Sequence, residues 1–208
     1  MNYALAIFDL DGTLVDSFPW FLGVVNDVAS DYGFRRIDDA EIESLRHAGP
    51  REILRRLEVP LWKLPAIARH MRALKREHLQ ATPLFEGVPA MLQALRAAGL
   101  SLALVSSDSE DNARRQLGDN VVLFSQFACG ASLFGKAAKF RTVTRRCGVA
   151  AERTIAIGDE VRDIEAARAA GIACGAATWG YAAAPALVAL QPDKVFISVG
   201  DIAEQLTA

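Results

Sequence analysis

The fold of this chain is decided by residues 4–14, which read ALAIFDLDGTL. The first part of this stretch is apolar on both of its faces, which is typical of a strand buried in a parallel β-sheet. Two acids, Asp9 and Asp11, follow where the predicted strand ends. Side chains at i and i+2 of an extended chain project the same way, so we expect the two carboxylates to lie side by side. Gly12 then allows a sharp turn.

Two carboxylates placed this close repel each other unless a cation or a proton lies between them. An Asp-Gly pair also has a plainer interpretation as a solvent-exposed turn. That interpretation does not explain why an apolar strand delivers both acids at its carboxyl end. The stretch therefore indicates a functional site when other parts of the chain supply matching groups.

Further apolar runs and helical patterns alternate along the rest of the chain. Buried strands are predicted at residues 102–105, 154–157 and 173–177, with weaker candidates at 127–129 and 195–197. Helices are predicted from about residue 87 to Gly99, over 137–147 and over 163–170. This alternation predicts an α/β fold with a doubly wound parallel sheet. Ligands of such sheets bind at the carboxyl ends of the strands, where the strand order reverses.

Residues 16–85 depart from this alternation of strands and helices, because they contain no convincing strand. Apolar residues there recur at three- and four-residue steps, as at Leu64, Ile67 and Met71. We therefore expect an α-helical cap subdomain over residues 16–85, inserted into a core domain formed by residues 1–15 and 86–208.

Composition excludes several classes of function. The 208 residues are 51% hydrophobic and 23% charged, and the net charge of −2 gives no reason to expect a nucleic acid or an anionic membrane as a partner. No apolar run approaches the roughly 20 residues needed to span a bilayer. Three scattered cysteines and the absence of a visible signal peptide favour a cytoplasmic protein. The sequence does not indicate an oligomeric state.

A second group of acids follows the predicted strand at 154–157. Asp159 and Asp163 lie on either side of the start of a predicted helix, and their oxygens suit Mg²⁺. The structural alternative makes Asp163 a helix N-cap and Glu160 a surface charge. A second strand that ends in acids makes coincidence a weaker explanation.

Hydroxyl and ammonium groups complete the set. Ser106 and Ser107 close the strand at 102–105, although Ser107 or Ser109 could equally cap the next helix. Lys136 stands at the entrance of a helix, where its ammonium could balance several carboxylates, and Lys139 competes for that role one turn later. A solvent-exposed lysine is the commoner outcome for either residue.

The chain resembles the haloacid dehalogenase superfamily, because four features occur in this order: the DxDGT stretch, the serine after a strand, the lysine before a helix and the GDxxxD stretch of residues 158–163. The likeness covers essentially the whole chain and is strongest with the phosphatase branch that carries a helical cap, namely phosphoglycolate phosphatase-like and β-phosphoglucomutase-like members. One departure lies at the third motif. Many relatives read Lys-Pro-x-Pro-Asp there, whereas residues 135–139 of this chain read GKAAK.

The resemblance implies a phosphatase that forms an aspartyl-phosphate. Asp9 is then the nucleophile, and Asp11 is the acid and base for the leaving group and for water. Asp9, the backbone carbonyl of Asp11 and Asp159 are expected to hold Mg²⁺, with Asp163 supporting this group from behind. Because dehalogenases of the superfamily lack the second aspartate as acid and base, Asp11 favours cleavage at phosphorus over cleavage at carbon.

The resemblance also implies residues that contact the substrate. Ser106 and Lys136 are expected to hold phosphoryl oxygens, and Thr13 and Ser107 to bind the substrate beside them. Arg51 matches a substrate-contacting arginine in the cap of β-phosphoglucomutase-like relatives, although it could equally belong to a solvent-exposed arginine face. The expected substrate is a small phosphorylated metabolite, such as phosphoglycolate or a sugar phosphate.

Three rival functions remain open from the sequence. A phosphomutase of the β-phosphoglucomutase type would return the phosphoryl group to a sugar instead of to water. A phospho-receiver domain shares the clustered acids, but it is shorter and has no helical insertion. A catalytically silent binding protein would have no need of two adjacent like charges.

Overall fold

A computed structural model describes residues 3–130 and 135–208 of the chain. It contains six β-strands, β1 (Leu5–Phe8), β2 (Ser101–Val105), β3 (Phe124–Ala128), β4 (Thr154–Gly158), β5 (Ala173–Ala177) and β6 (Lys194–Phe196). Between β1 and β2 lie α1 (Phe18–Tyr32), α2 (Ile42–Arg46), α3 (Pro50–Arg56), α4 (Leu64–Glu77) and α5 (Val88–Ala97). The later helices are α6 (Glu110–Leu117), α7 (Lys136–Arg146), α8 (Val161–Ala170), α9 (Ala184–Val188) and α10 (Val199–Thr207).

All six strands form one parallel sheet in the order β3-β2-β1-β4-β5-β6. The strand order reverses at β1, which pairs with β2 on one side and with β4 on the other. This is the order of a doubly wound α/β fold, whose ligands bind at the reversal. The predicted fold class is therefore confirmed.

The two faces of the sheet bury separate apolar layers. On one face, Phe8 packs with Leu92 and Leu95 of α5 and with Ile202 of α10. On the other face, Leu5 and Ile7 pack with side chains of α7 and α8, including Phe140 and Ile164. Because neighbouring strand residues point to opposite faces, a strand covered on both sides must be apolar throughout, as β1 is.

Two elements begin earlier than the sequence pattern predicted. Strand β3 begins at Phe124, three residues before the predicted start, because this edge strand carries the polar residues Ser125 and Gln126. Helix α8 begins at Val161, and Glu160 and Asp163 form its capping box, in which each side chain accepts a hydrogen bond from the other residue's backbone N–H.

The segment between β1 and α5 is helical, as expected. Short 3-10 turns lie between α1 and α2, between α3 and α4 and after α4, and Asp38 caps the first of them by accepting a hydrogen bond from the backbone N–H of Ala40. We propose residues 16–85 as the cap and residues 1–15 and 86–208 as the core. Within the described ranges, no helix has both the length and the apolar character that crossing a membrane requires.

Candidate active site

The reversal of strand order brings the first and last acidic motifs together. Phe8 of β1 lies beside Ile157 of β4, and the backbone N–H of Asp9 donates to the carbonyl of Ile157 at 2.9 Å. Asp9 and Asp159, which follow these two strands, are therefore neighbours although 150 residues separate them in sequence. The parallel register thus builds one acidic centre from two distant loops.

Three carboxylates form that centre. Asp9, Asp159 and Asp163 each place one oxygen within 4.8 Å of the others, and all three residues are buried. Burial raises the pKa of Asp9 to about 6, against the opposing attraction of Lys136. Burial, followed by repulsion from neighbouring acids, also raises the pKa of Asp159 well above its ordinary value. Carboxyl groups with raised pKa values ionise less readily when no cation is bound. A hard divalent cation prefers oxygen ligands and would favour the charged forms of these groups.

The loops around Asp159 hold its side chain in place. The hydroxyl of Thr13 donates to Oδ1 at 2.6 Å, and the backbone N–H of Tyr181 donates to Oδ2 at 2.8 Å. Gly12, at φ +75°, leaves the space that Asp159 occupies, because a Cβ there would lie 2.1 Å from Oδ2. Thr13 is therefore a support of the acidic centre, and its expected contact with a substrate stays a prediction.

Lys136 is the cation of this centre. At the first position of α7 it is buried, and its ammonium donates to Asp9 and to Asp163. Burial opposes its charge, but Asp163 and Asp9 outweigh burial and raise the pKa of Lys136. Lys139 instead donates to the backbone carbonyl of Cys129. The structure thus brings Lys136, and not Lys139, to the acids.

Asp11 is partly exposed and belongs to a second cluster of charges. Its carboxylate accepts a hydrogen bond from the ammonium of Lys75, on cap helix α4, and the same ammonium lies 2.8 Å from Asp108 of the core. Burial opposes the charge of Lys75, yet Asp11 and Asp108 raise its pKa. Lys75 and Asp108 were not expected from the sequence, because their pairing depends on how α4 docks onto the core.

The serines after β2 lie beside this second cluster. Ser106 is buried, and its hydroxyl accepts a hydrogen bond from the backbone N–H of Asp108 at 3.0 Å. The carbonyl of Ser107 accepts one from Nε of Arg72 on α4, at 2.9 Å. Ser109, not Ser107, caps α6 through its hydroxyl. Ser106 and Ser107 are thus close to the acids, while their contacts with a phosphoryl group remain predictions.

A large cavity, which we call the cap cavity, opens beside Asp11 and extends among helices α1 to α4, with a volume of about 910 Å³. The basic residues along its wall are Arg46, Arg69, Arg72, Lys75 and Arg162. Arg51 is exposed on α3 and is not among the described residues that line the cavity. Its role in substrate binding stays a prediction.

Arg162 is a further cation of the site, and it was not predicted from the sequence. Its guanidinium donates to Glu160, and its charge also acts on Asp9. The signal lay inside the GDxxxD stretch itself, between Asp159 and Asp163, where a partly buried arginine can balance their charge. Arg162 and Lys136 together place two positive charges beside three carboxylates.

Replacing Lys75 with methionine is expected to destabilise the folded chain by about 3 kcal/mol, because breaking a buried ion pair leaves an uncompensated charge. Asp108 is buried and keeps only its hydrogen bonds from Ser109 and Asn112 when Lys75 is lost. Denaturant unfolding, followed by circular dichroism, measures the change.

The matched control for this substitution is Arg76→Met, at the next position of α4. Arg76 is exposed, and its Nε lies 3.6 Å from the exposed Asp111. An exposed pair of this kind contributes less than about 1 kcal/mol. Equal losses from the two substitutions would contradict the assignment of Lys75 as the link between cap and core.

Comparison with known proteins shows which family the chain belongs to. Residues 6–177 match the model of the haloacid dehalogenase-like hydrolases. A phosphoglycolate phosphatase from Synechococcus elongatus is 34% identical over 203 residues, which cover 97% of this chain and 96% of that protein. A phosphoglycolate phosphatase from Xanthomonas campestris is 38% identical over 189 residues, covering 84% of this chain and 83% of that protein.

The fold of the chain is also similar to that of a solved structure. A haloacid dehalogenase-like family hydrolase from Streptococcus pneumoniae superposes with a TM-score of 0.78 at 22% identity, over 98% of each chain. The predicted family and the predicted class of enzyme are confirmed by the family match and the curated relatives. The chain belongs to the haloacid dehalogenase-like hydrolases and is a phosphoric monoester hydrolase.

Proposed function

We propose that the chain is a Mg²⁺-dependent phosphatase that hydrolyses a small phosphorylated metabolite through a phosphoryl group carried on Asp9. The observation that supports this most directly is the environment of Asp9. Its Oδ1 accepts a hydrogen bond from the backbone N–H of Leu10 at 2.8 Å, and its Oδ2 accepts one from Lys136. Hydrogen bonds to both oxygens fix the orientation of this carboxylate, and burial keeps bulk water away from it.

In the first step, an oxygen of Asp9 attacks phosphorus, and the bond from phosphorus to the ester oxygen breaks. Asp11 gives its proton to the departing alkoxide, so that an alcohol leaves. For this, Asp11 must exchange its contact with Lys75 for a proton, since an ion-paired carboxylate cannot act as an acid. Lys75 therefore has to shift toward the substrate or toward Asp108 when the site is filled.

In the second step, Asp11 takes a proton from water, and the water oxygen attacks phosphorus. Inorganic phosphate leaves, and the carboxylate of Asp9 is restored. Lys136 and the hydroxyl of Ser106 would hold phosphoryl oxygens in both steps, supplying the positive charge and the hydrogen bond that the transferred group needs.

Asp9, Asp159 and the backbone carbonyl of Asp11 would hold Mg²⁺, and Asp163 would support them while it also holds Lys136. The bound cation would supply a positive charge that lets an anionic carboxylate approach an anionic ester. Buried oxygen donors whose pKa values are raised support this choice of ion.

Phosphoglycolate is the first ester to test, because the curated relatives from Synechococcus elongatus and Xanthomonas campestris carry the name phosphoglycolate phosphatase. We also propose a cytoplasmic location, which the three free cysteines support. The experiment is phosphate release from 4-nitrophenyl phosphate, phosphoglycolate, a hexose phosphate and a nucleoside monophosphate. Transfer of the phosphoryl group to a sugar, with no release of phosphate, would instead favour the mutase.

Adding Mg²⁺ to chelator-treated protein at pH 7.5 is expected to raise Tm by roughly 5–10 °C when the ion is at 100 times its Kd. At pH 5 the shift should be much smaller. The pKa of metal-free Asp9 is raised to about 6, so its folded-state carboxyl is mostly protonated at pH 5 and must lose that proton to hold the cation. Scanning calorimetry with and without Mg²⁺ measures both shifts.

The sign of the metal-free pH dependence follows from the same shift. A carboxyl whose pKa is raised in the folded state contributes stability while it is protonated, and this contribution is lost as the pH rises through about 6. The free energy of unfolding of the metal-free protein should therefore fall as the pH rises through about 6, and Mg²⁺ should restore it. A Mg²⁺ effect of the same size at pH 5 and pH 7.5 would argue against Asp9 as a ligand.

A further inference from the structure

The cap cavity joins the reaction centre to the interior of the cap. Its wall includes Asp11 and Asp108 at the core end, and it continues between helices α1, α3 and α4. Phosphoglycolate is a compact polyanion with a carboxylate two bonds from the ester oxygen, so it occupies only the part of this space nearest Asp11. At roughly 30 Å³ for each water molecule, the cavity holds far more than such a substrate fills.

The far part of the cavity is apolar. Its walls there include Trp20 of α1, Ile53 of α3, and Ala68 and Met71 of α4. The three- and four-residue repeat of α4 that includes Ile67 and Met71 therefore faces this space instead of a filled core. A polar metabolite would gain nothing from such a surface, whereas an apolar group would gain by leaving water.

The cavity is larger than the packing of a small helical cap explains. Protein interiors pack as densely as organic crystals and contain few voids larger than a water molecule. Ile53, Leu54, Ile67 and Met71 all remain partly accessible although they point between the helices, because the cavity lies in front of them. A volume of about 910 Å³ is in the range of sites that enclose a ligand.

Most charged groups of the wall lie at the core end and have partners, whereas Arg69, next to Ala68 on α4, is exposed. Arg46 donates to the backbone carbonyls of Tyr181 and Gly180, and Arg72 donates to that of Ser107. Arg162 donates to Glu160. The cavity is thus polar beside Asp11 and apolar inside the cap, which matches a molecule with an anionic head and an apolar body.

We propose that this enzyme accepts phosphate monoesters of apolar alcohols, with the phosphoryl group beside Asp9 and the apolar organic group inside the cap cavity. The inference rests on the proposed phosphatase activity and specifies the substrate class of the same site. The organic group becomes the departing alcohol, so the chemical step is the one described above, and only the binding of the leaving group is new.

The test uses the full chain with Mg²⁺ and compares ethyl, n-butyl and n-hexyl phosphate. The three leaving alkoxides are almost equally basic, so differences in kcat/KM report binding of the alkyl group. Burial of each methylene is expected to raise kcat/KM by about fourfold, which gives roughly 200-fold over the four methylenes from ethyl to n-hexyl. A flat or falling series would overturn the proposal.

Ala68→Phe fills the cavity from α4, and it is expected to remove most of the gain with chain length while ethyl phosphate is hydrolysed as before. Ala73→Phe is the matched control, because Ala73 is exposed on the same helix and is not among the described residues of the cavity wall. Ile53→Phe tests the same point from α3. An unchanged chain-length series in both filled variants would also overturn the proposal.

The outcomes separate this inference from the proposed function. Hydrolysis of ethyl phosphate that depends on Asp9, together with a flat series, would reject the apolar substrate and keep the phosphatase. A lack of Asp9-dependent hydrolysis for every ester, including 4-nitrophenyl phosphate, would reject the phosphatase itself. Ethyl phosphate activity in the filled variants also shows whether they have folded.

Discussion

Asp9→Asn is expected to lower kcat for every phosphate ester by about 10⁴-fold or more, because the amide cannot form the acyl-phosphate that divides hydrolysis into two steps. The substitution changes one atom and keeps the shape of the side chain. The amide also keeps an oxygen that can accept the hydrogen bond from the backbone N–H of Leu10. A colorimetric assay of phosphate release measures the loss.

The folded state should tolerate this change. Burial raises the pKa of Asp9 to about 6, so its ionised form is held at a cost near neutral pH, and a neutral amide removes that cost. Lys136 retains Asp163 as a partner. We therefore expect a Tm at pH 7 no lower than that of metal-free wild type. Asp119→Asn, at an exposed aspartate, is the control for activity. Retention of more than a few per cent of kcat would remove Asp9 from the mechanism.

Lys136→Met is expected to lower kcat by about 10²- to 10³-fold, which is typical of losing one group that stabilises charge in the transition state. It should also destabilise the metal-free chain by about 3–5 kcal/mol, since it leaves two buried carboxylates, Asp9 and Asp163, without their shared cation. The pKa of Lys136 is raised, so its contribution persists through neutral pH and disappears only in strong alkali.

Lys139→Met is the matched control, because it removes a lysine one turn further along α7. Its ammonium donates to the carbonyl of Cys129, and loss of one such hydrogen bond costs about 1 kcal/mol. Activity and urea unfolding of both variants, with and without Mg²⁺, separate the two lysines. If Lys139→Met proved the more damaging for catalysis, the assignment of Lys136 would be wrong.

The parts of the fold that local sequence determines were predictable. A strand covered on both faces must be apolar throughout, so β1, β4 and β5 were recognisable from short runs of residues. Edge strand β3 was placed too late, because its exposed side carries polar residues such as Ser125. The acids at the carboxyl ends of β1 and β4 converge because parallel strands end at the same edge of a sheet.

The contacts between cap and core could not be predicted in the same way. Lys75 is 64 residues from Asp11 and 33 from Asp108, and its position four residues after Met71 places it on the apolar face of α4 without identifying these partners. The pairing is set by the angle at which the helix docks, which depends on the packing of the whole insertion. The same limit applies to Arg51, whose helix was predictable but whose direction relative to the cavity was not.

The two carboxylate oxygens of Asp163 accept hydrogen bonds from two different residues. One accepts a hydrogen bond from Lys136, and the other accepts one from the backbone N–H of Glu160 at the start of α8. Fraying of that first helical turn would therefore also remove one of the two carboxylates that hold the ammonium of Lys136. Local unfolding at the start of α8 and weaker binding of Lys136 are in this way coupled through one side chain.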